Sequence, residues 1–267
     1  MDSALNIKLD NLKTLIKKYS SAILAFSGGT DSSFLAFVCK EVLGDNLHLI
    51  TAISAVYPQS ELEDARNISA LLNVNLELIE LDVFDIPEFG SNPPDRCYYC
   101  KRELLKKIGQ IAEDKKIDAI FDGSNLSDEG DFRPGKKALT ELGIISPLSI
   151  AGFTKSDIYA LSRHFNLPTA NKASMACLAS RFPYGEAITR EKLARVELAE
   201  KSLHELGYHQ LRIRSHGDLA RLELTEEEIQ RAFSQRKELI SILKKAGFTW
   251  CSLDLQGYRS GAMNETL

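Results

Sequence analysis

Three sets of residues in this chain have the types and spacings that chemistry needs. The first is Ser27-Gly28-Gly29-Thr30-Asp31-Ser32-Ser33, which ends one apolar run and precedes apolar residues at helical spacing. A strand that turns into a helix through two glycines presents bare backbone N–H groups at the helix N-terminus. Orphan donors and the helix dipole make that end a receiver of phosphate. Gly28 and Gly29 permit close approach and positive φ, and Ser27, Ser32 and Ser33 add hydroxyl donors. A plain turn with a Ser or Asp cap has the same composition, so both readings stand. The lysine of a Walker A loop is missing, because no Gly-Lys-Ser/Thr follows.

The second set is thiols. Cys97 and Cys100 lie one helical turn apart in PDRCYYCKRELL, and Cys177 stands far along the chain in KASMACLASRFPYG. A lone Cys-x-x-Cys is ordinarily a redox pair or half of a zinc site. Three thiolates also suit a 4Fe-4S cluster with one iron lacking a protein ligand. Zinc, redox or persulfide chemistry, and the cluster are the alternatives. Cys39 and Cys251 fall in apolar helical and strand patterns and read as small core residues. Lys101, directly after Cys100, is either a solvated helix lysine or a phosphate contact.

The third set is arginines. Arg212 and Arg214 alternate with apolar residues in LRIRSHGD, so they share one strand face. Such arginines are either simply solvated or a bidentate grip on a phosphate, with Arg259 in GYRSG and Arg181 in ASRFPYG completing the cluster. In FDGSNLSDEGDFRPG, Asp122, Asp128 and Asp131 are either Mg²⁺ ligands or loop carboxylates, and the loop reading suits the last two better.

Elements must bring these sets together. SAILAFS, LHLITAIS, NLELIELDV and DAIFDGS read as strands. SSFLAFVCKEVLG, SELEDARNISALLN and CYYCKRELLKKIGQIAEDKK, between them, read as helices by their apolar spacing. FTKSDIYALSRHFNLP adds a helix with Thr154 as cap and Pro168 as stop. This alternation implies an α/β domain, a mostly parallel sheet with right-handed crossovers. RFPYGEAITREKL marks a boundary near residue 185. Beyond it a long helix, two alternating strands, a helix over EEEIQRAFSQRKELISILKKAG and a last strand, FTWCSLDLQGY, form a smaller α+β domain. The expected domains are 1–185 and 186–267.

The bulk numbers constrain partners. Of 267 residues, 44% are hydrophobic and 26% charged, a soluble composition with material for a sizeable core. A net charge of −4 provides no global field for nucleic acid or acidic membranes. The start lacks the layout of a signal peptide, and no apolar run reaches bilayer length, so a cytoplasmic protein without membrane or nucleic-acid partners is expected.

Ser-Gly-Gly-x-Asp-Ser after a buried strand resembles the pyrophosphate loop (PP-loop) of the ATP pyrophosphatases, found in GMP synthetase, NAD synthetase, argininosuccinate synthetase and tRNA-thiolating enzymes. The resemblance implies ATP, Mg²⁺, and attack on the α-phosphate to give an adenylate and pyrophosphate. It places Ser27, Gly28, Gly29, Asp31, Ser32 and Ser33 on the phosphates, and Ser54 and Gly123 on the adenine and ribose.

CYYCKRELL, DGSNLSDEGDFRPG, CLASRFPYG, LRIRSHGDLARLEL and LDLQGYRSGAMN together resemble the LarE family of ATP-dependent sulfur transferases, in order and over nearly the whole chain. That family adenylates the carboxylates of pyridinium-3,5-biscarboxylic acid mononucleotide and converts them to thiocarboxylates, for a nickel-pincer nucleotide cofactor. The resemblance implies catalytic roles for Asp31, Lys101 and Cys177, and a phosphate contact for Lys101. It implies a substrate phosphate held by Ser180, Arg181, Arg212, Arg214 and Arg259 with Glu200 nearby, a sulfide or sulfur-donor partner, and a homo-oligomer, with a hexamer as its form. One branch sacrifices the sulfur of a single cysteine; the other carries three cysteines around a 4Fe-4S cluster. The CYYC segment matches the second, making Cys97, Cys100 and Cys177 the metal ligands; without a cluster, Cys177 is the sacrificial donor. A tRNA-thiolating enzyme and an amide-forming ligase are the competing readings. Neither an RNA-binding appendage for the first nor a use of the cysteines for the second is evident.

Overall fold

The computed structural model describes residues 3–130, 134–172, 176–259 and 261–266. The chain divides into two compact units, one of residues 1–82 and 95–175, the other of residues 83–94 and 176–267.

The first unit is the expected α/β domain. Its strands β1 (Ala22–Ala25), β2 (Leu47–Ile53), β3 (Leu76–Glu80) and β4 (Ala119–Phe121) form one parallel sheet in the order β3-β2-β1-β4. Helices α1 (Ser3–Ile16), α2 (Thr30–Leu43), α3 (Gln59–Leu72), α4 (Arg96–Lys115), α5 (Gly135–Glu141), α6 (Pro147–Ile150) and α7 (Lys155–His164) complete the unit. The two central strands, β1 and β2, have few exposed positions, as a parallel sheet covered on both faces requires. Two apolar clusters lie on its faces: Phe34, Leu35, Val38, Leu49, Phe121 and Phe153 in one, Ile23, Ile50, Leu105 and Ile108 in the other. Phe26 N–H donates to the Ile50 carbonyl at 2.8 Å, so the backbone leaves the sheet only after Phe26. The phosphate-type turn therefore opens at the carboxyl end of the central strand, where ligands of such sheets lie.

The second unit has α8 (Arg190–Glu205), β5 (Leu211–His216), β6 (Leu219–Leu224), α9 (Glu226–Ser234), α10 (Arg236–Lys245) and β7 (Trp250–Leu253). β5 and β6 are antiparallel, β6 and β7 parallel, in the order β5-β6-β7. The helix expected over residues 226–247 is broken at Gln235, whose backbone turns to φ −97°, ψ 13°. Its side chain accepts from Arg231 Nε at 3.0 Å and from the Tyr208 hydroxyl at 2.9 Å, ties that hold the bend in place.

Where the sequence marks one boundary near 185, the backbone contacts give three crossings, because two segments before that residue pack with the second unit. Gly185 N–H donates to the Asn92 carbonyl and Ile188 N–H to the Gly90 carbonyl. The fully buried Asn92 side chain donates to the Pro183 carbonyl at 2.7 Å.

Candidate nucleotide site and thiol positions

The turn between β1 and α2 is built for close approach. Gly28 has φ +70°, and a Cβ there would lie 2.7 Å from the backbone nitrogen of Ala65 on α3, so no side chain fits. Gly29 caps α2 without any side-chain hydrogen bond, which leaves the first-turn amides for another acceptor. Ser27 and Ser32 hydroxyls lie 3.0 Å apart, and the buried hydroxyls of Ser33 and Ser54 have no hydrogen-bond partner among the described residues. Orphaned hydroxyls beside an uncapped helix start fit a polyphosphate nucleotide. Gly123, after β4, lies against the same turn: a Cβ on it would come within 3.2 Å of Ser32 N.

Three lysines bring positive charge to this end of the sheet. Lys101, on the second turn of α4, donates to Asp122 Oδ2 at 3.0 Å. Asp122 also accepts from the hydroxyls of Ser124 (2.7 Å) and Ser146 (2.6 Å). Burial pushes its carboxyl up, but the Lys101 charge and these donors outweigh that and hold it below its ordinary value. Asp122 is thus engaged as the seat of Lys101. Asp128 accepts from Asn125 N–H at 3.0 Å, a loop role, and Asp131 lies outside the described residues. Gly135 seats the lysine from the side, since a Cβ there would meet Lys101 Cδ at 3.2 Å.

The other two lysines escaped the sequence reading. Lys155 Nζ donates to both oxygens of Asp31, at 2.6 and 2.7 Å. Its position was a usable signal: a lysine at the first residue of a helix faces the unfavourable end of the dipole, a cost that an anion from elsewhere offsets. Lys172 Nζ donates to the Gly28 carbonyl at 3.3 Å and pairs with Glu61 and Asp64 at 2.6 and 2.7 Å. Nothing in its sequence surroundings announced that contact. Asp31, carrying a carboxylate at the phosphate turn, suits Mg²⁺, which takes one or two carboxylates plus phosphate oxygens.

Cys97 and Cys100 occupy the first turn of α4, Cys97 exposed and Cys100 buried. Cys177 is half-buried in the second unit. Two thiols a turn apart at a helix N-terminus, where the dipole favours anions, match the donor chemistry of a cluster. Among the described residues, no three His, Cys, Asp or Glu side chains gather as a metal-holding group. Burial pushes the Cys39 and Cys251 thiols up; Cys39 is a core residue as expected, whereas Cys251 is only half-buried on β7.

In the second unit three of the four predicted arginines are buried, not solvated. Arg212 and Arg214 are 4% and 5% exposed, and Arg181 is fully enclosed. Arg181 lies bidentate on Glu200 (2.9 and 2.8 Å), and Arg214 donates to Glu223 at 2.7 Å and to the Ser180 carbonyl at 2.9 Å. Burial raises the Glu200 carboxyl, but the Arg181 charge, its hydrogen bonds, the Ile213 amide and Arg212 hold it below its ordinary value. Burial, and then the like charge of Arg181, pull the Arg212 guanidinium down. Arg259 pairs with Glu265 near the chain end.

A parallel sheet with an uncapped glycine turn, orphaned hydroxyls and convergent lysines at its carboxyl end defines a PP-loop ATP-using enzyme. Residues 5–88 match the NAD synthase family. The chain is 36% identical to pyridinium-3,5-bisthiocarboxylic acid mononucleotide synthase of Lactiplantibacillus plantarum, over 99% of this chain and 96% of that one. It is 40% identical to a protein of Synechocystis described as uncharacterized, over 98% and 99%. An NH3-dependent NAD+ synthetase of Campylobacter jejuni is 27% identical over 54% of this chain and 59% of its own. The chain belongs to the LarE family, that of the Lactiplantibacillus synthase. Among the described residues, no helix is long and apolar enough to cross a membrane.

Proposed function

We propose that this enzyme transfers sulfur to the carboxylates of pyridinium-3,5-biscarboxylic acid mononucleotide, for a nickel-pincer nucleotide cofactor. The observation that carries the reading is the full-length likeness to the Lactiplantibacillus synthase together with an intact phosphate turn. A substrate carboxylate oxygen attacks the α-phosphorus of ATP; the bond to the β-phosphate breaks and pyrophosphate leaves. A sulfur nucleophile of the sulfide class then adds to the acyl carbon, and AMP departs with the C–O electron pair. A second round treats the other carboxylate.

The protein's own groups bind and orient. The first-turn amides of α2, with Ser27, Ser32 and Ser33, receive the β- and γ-phosphates, and Ser54 and Gly123 line the nucleoside. Lys101 neutralises phosphate charge from its seat on Asp122. Asp31 would hold Mg²⁺ in exchange for its pairing with Lys155, and Mg²⁺ when bound would offset the charge of the polyphosphate. Arg212 and Arg214 lie buried on one strand, with Arg214 donating to the Ser180 carbonyl, which supports Arg212, Arg214 and Arg259 with Ser180 as the substrate-phosphate grip of the second unit. Cys97, Cys100 and Cys177 are the ligands of a 4Fe-4S cluster, which supplies a sulfur-delivering centre when bound. A homo-oligomer completes the reading, and light scattering, with a hexamer as the expected mass, checks it.

The test is anaerobic purification, measurement of iron, sulfide and zinc, and an assay of AMP release. AMP is expected with the pyridinium biscarboxylate and not with tRNA or the substrate of an amide-forming synthetase. Cluster absorbance is expected to vanish in Cys97→Ala, Cys100→Ala and Cys177→Ala. Stoichiometric zinc, or AMP release with tRNA alone, overturns the reading. Iron-free protein whose Cys177 loses its sulfur during turnover selects the sacrificial branch.

A further inference from the structure

We infer that Arg181 and Glu200 form a buried clasp that sets the backbone of Cys177, and are positioning residues for its thiol rather than contacts to a substrate. The purpose of the clasp rests on the sulfur-transfer reading; its geometry does not.

Arg181 is fully enclosed, and each guanidinium nitrogen has an acceptor inside the protein. Nε and Nη2 hold the two oxygens of Glu200. Nη1 donates to the Ala176 carbonyl at 2.7 Å, the Cys177 carbonyl at 3.2 Å and the Ser180 hydroxyl at 2.9 Å. A phosphate at this guanidinium would have to displace a buried carboxylate or two backbone carbonyls, and unpairing a buried ion costs heavily.

Glu200 is anchored in turn. It projects from α8 and accepts the Ile213 N–H of β5 at 2.9 Å, so helix and strand fix it together. From the same strand, Arg214 donates to the Ser180 carbonyl at 2.9 Å. Residues 178–181 form a 3-10 turn that starts from Cys177, with Leu178 and Ala179 buried beneath it and Ser180 N–H closing on the Cys177 carbonyl at 2.9 Å. Both carbonyls that flank the Cys177 nitrogen and α-carbon are thereby held, which fixes the direction of its Cα–Cβ bond. The Cys177 side chain that this backbone aims is itself half-buried. A planar five-donor fork spans a carboxylate and two carbonyls at once, whereas an ammonium does not.

The experiment measures alkylation of Cys177 by iodoacetamide in the full-length protein, site by site by mass spectrometry, with Cys251 of the same unit as reference. Circular dichroism confirms folding. Arg181→Lys keeps the charge but not the fork, and is expected to change the Cys177 rate by about fivefold or more while leaving Cys251 unmoved. Glu200→Gln, which keeps the shape, is expected to fall between Arg181→Lys and wild type. In the wild-type protein the Ser180 amide is expected to be strongly protected from hydrogen exchange, a measurement that needs no variant. An unchanged Cys177 rate in folded Arg181→Lys, or rapid exchange at Ser180 in wild type, overturns the clasp. Loss of the sulfur-transfer reading shows separately, as absent iron with Cys177 keeping its sulfur through turnover.

Discussion

At single residues, the site is governed by what cannot be there and by what must stay charged. Gly28 combines φ +70° with a backbone nitrogen 2.7 Å from any added Cβ. Gly28→Ala incurs the left-handed penalty of about 1–2 kcal/mol and must also push the turn from α3. ATP binding by calorimetry is expected to weaken by about tenfold or more, the effect of roughly 1.4 kcal/mol; unchanged affinity would remove the turn from the phosphate site. Asp122 gives a pH signature. Its folded pKa is lowered, so its contribution to stability is complete above the ordinary Asp value of about 3.9 and is lost as pH falls through the lower folded value. Urea midpoints measured along an acid series are expected to fall more shallowly in Asp122→Asn than in wild type. Equal slopes would show that the Lys101–Asp122 seat does not matter to stability.

Among the elements, helix starts carry the site, and they were legible to different degrees. α2 was readable because glycines, serines and apolar spacing all agree from Ser27 onward. α7 was readable as a helix from Thr154, and the structure adds a capping box in which Thr154 and Asp157 satisfy each other's backbone N–H. That box also fixes Lys155, one residue inside, against Asp31. Thr154→Ala is expected to cost about 1 kcal/mol of stability. It is also expected to raise the KM for ATP more than it lowers kcat, because the lysine loses its fixed base. A kcat loss at constant KM would place Lys155 outside ground-state nucleotide binding. The break at Gln235 was illegible because apolar spacing runs through it, and only Arg231 and Tyr208, brought in by tertiary structure, reveal it. α1 escaped notice for a related reason: three buried positions, Leu9, Leu12 and Ile16, define a narrow stripe on an otherwise polar helix.

For the whole molecule, the sheet and the class of site follow from local patterns, but the division of the chain does not. The solvated reading of Arg212 and Arg214 fails for the same reason as the single boundary: their partners come from distant segments. Glu200 needs Arg181, Arg214 needs the Ser180 carbonyl, and Pro183 needs Asn92, while no local spacing links any of these. The consequence is testable with a fragment. Residues 186–267 alone retain α8 and the three-stranded sheet but lack Arg181, leaving the buried Glu200 without its hydrogen-bonded ion-pair partner. Removing one partner of a buried pair costs about 3–5 kcal/mol, a large part of what a domain of this size possesses. That fragment is expected to show no cooperative urea transition by circular dichroism. Adding residues 176–185 restores the ion pair but not the Asn92 tie, so a second fragment of residues 176–267 is expected to fold with a midpoint below that of the intact chain. Cooperative unfolding of residues 186–267 at the full-length midpoint would show that the second unit is self-sufficient, and that the segments before residue 186 merely rest upon it.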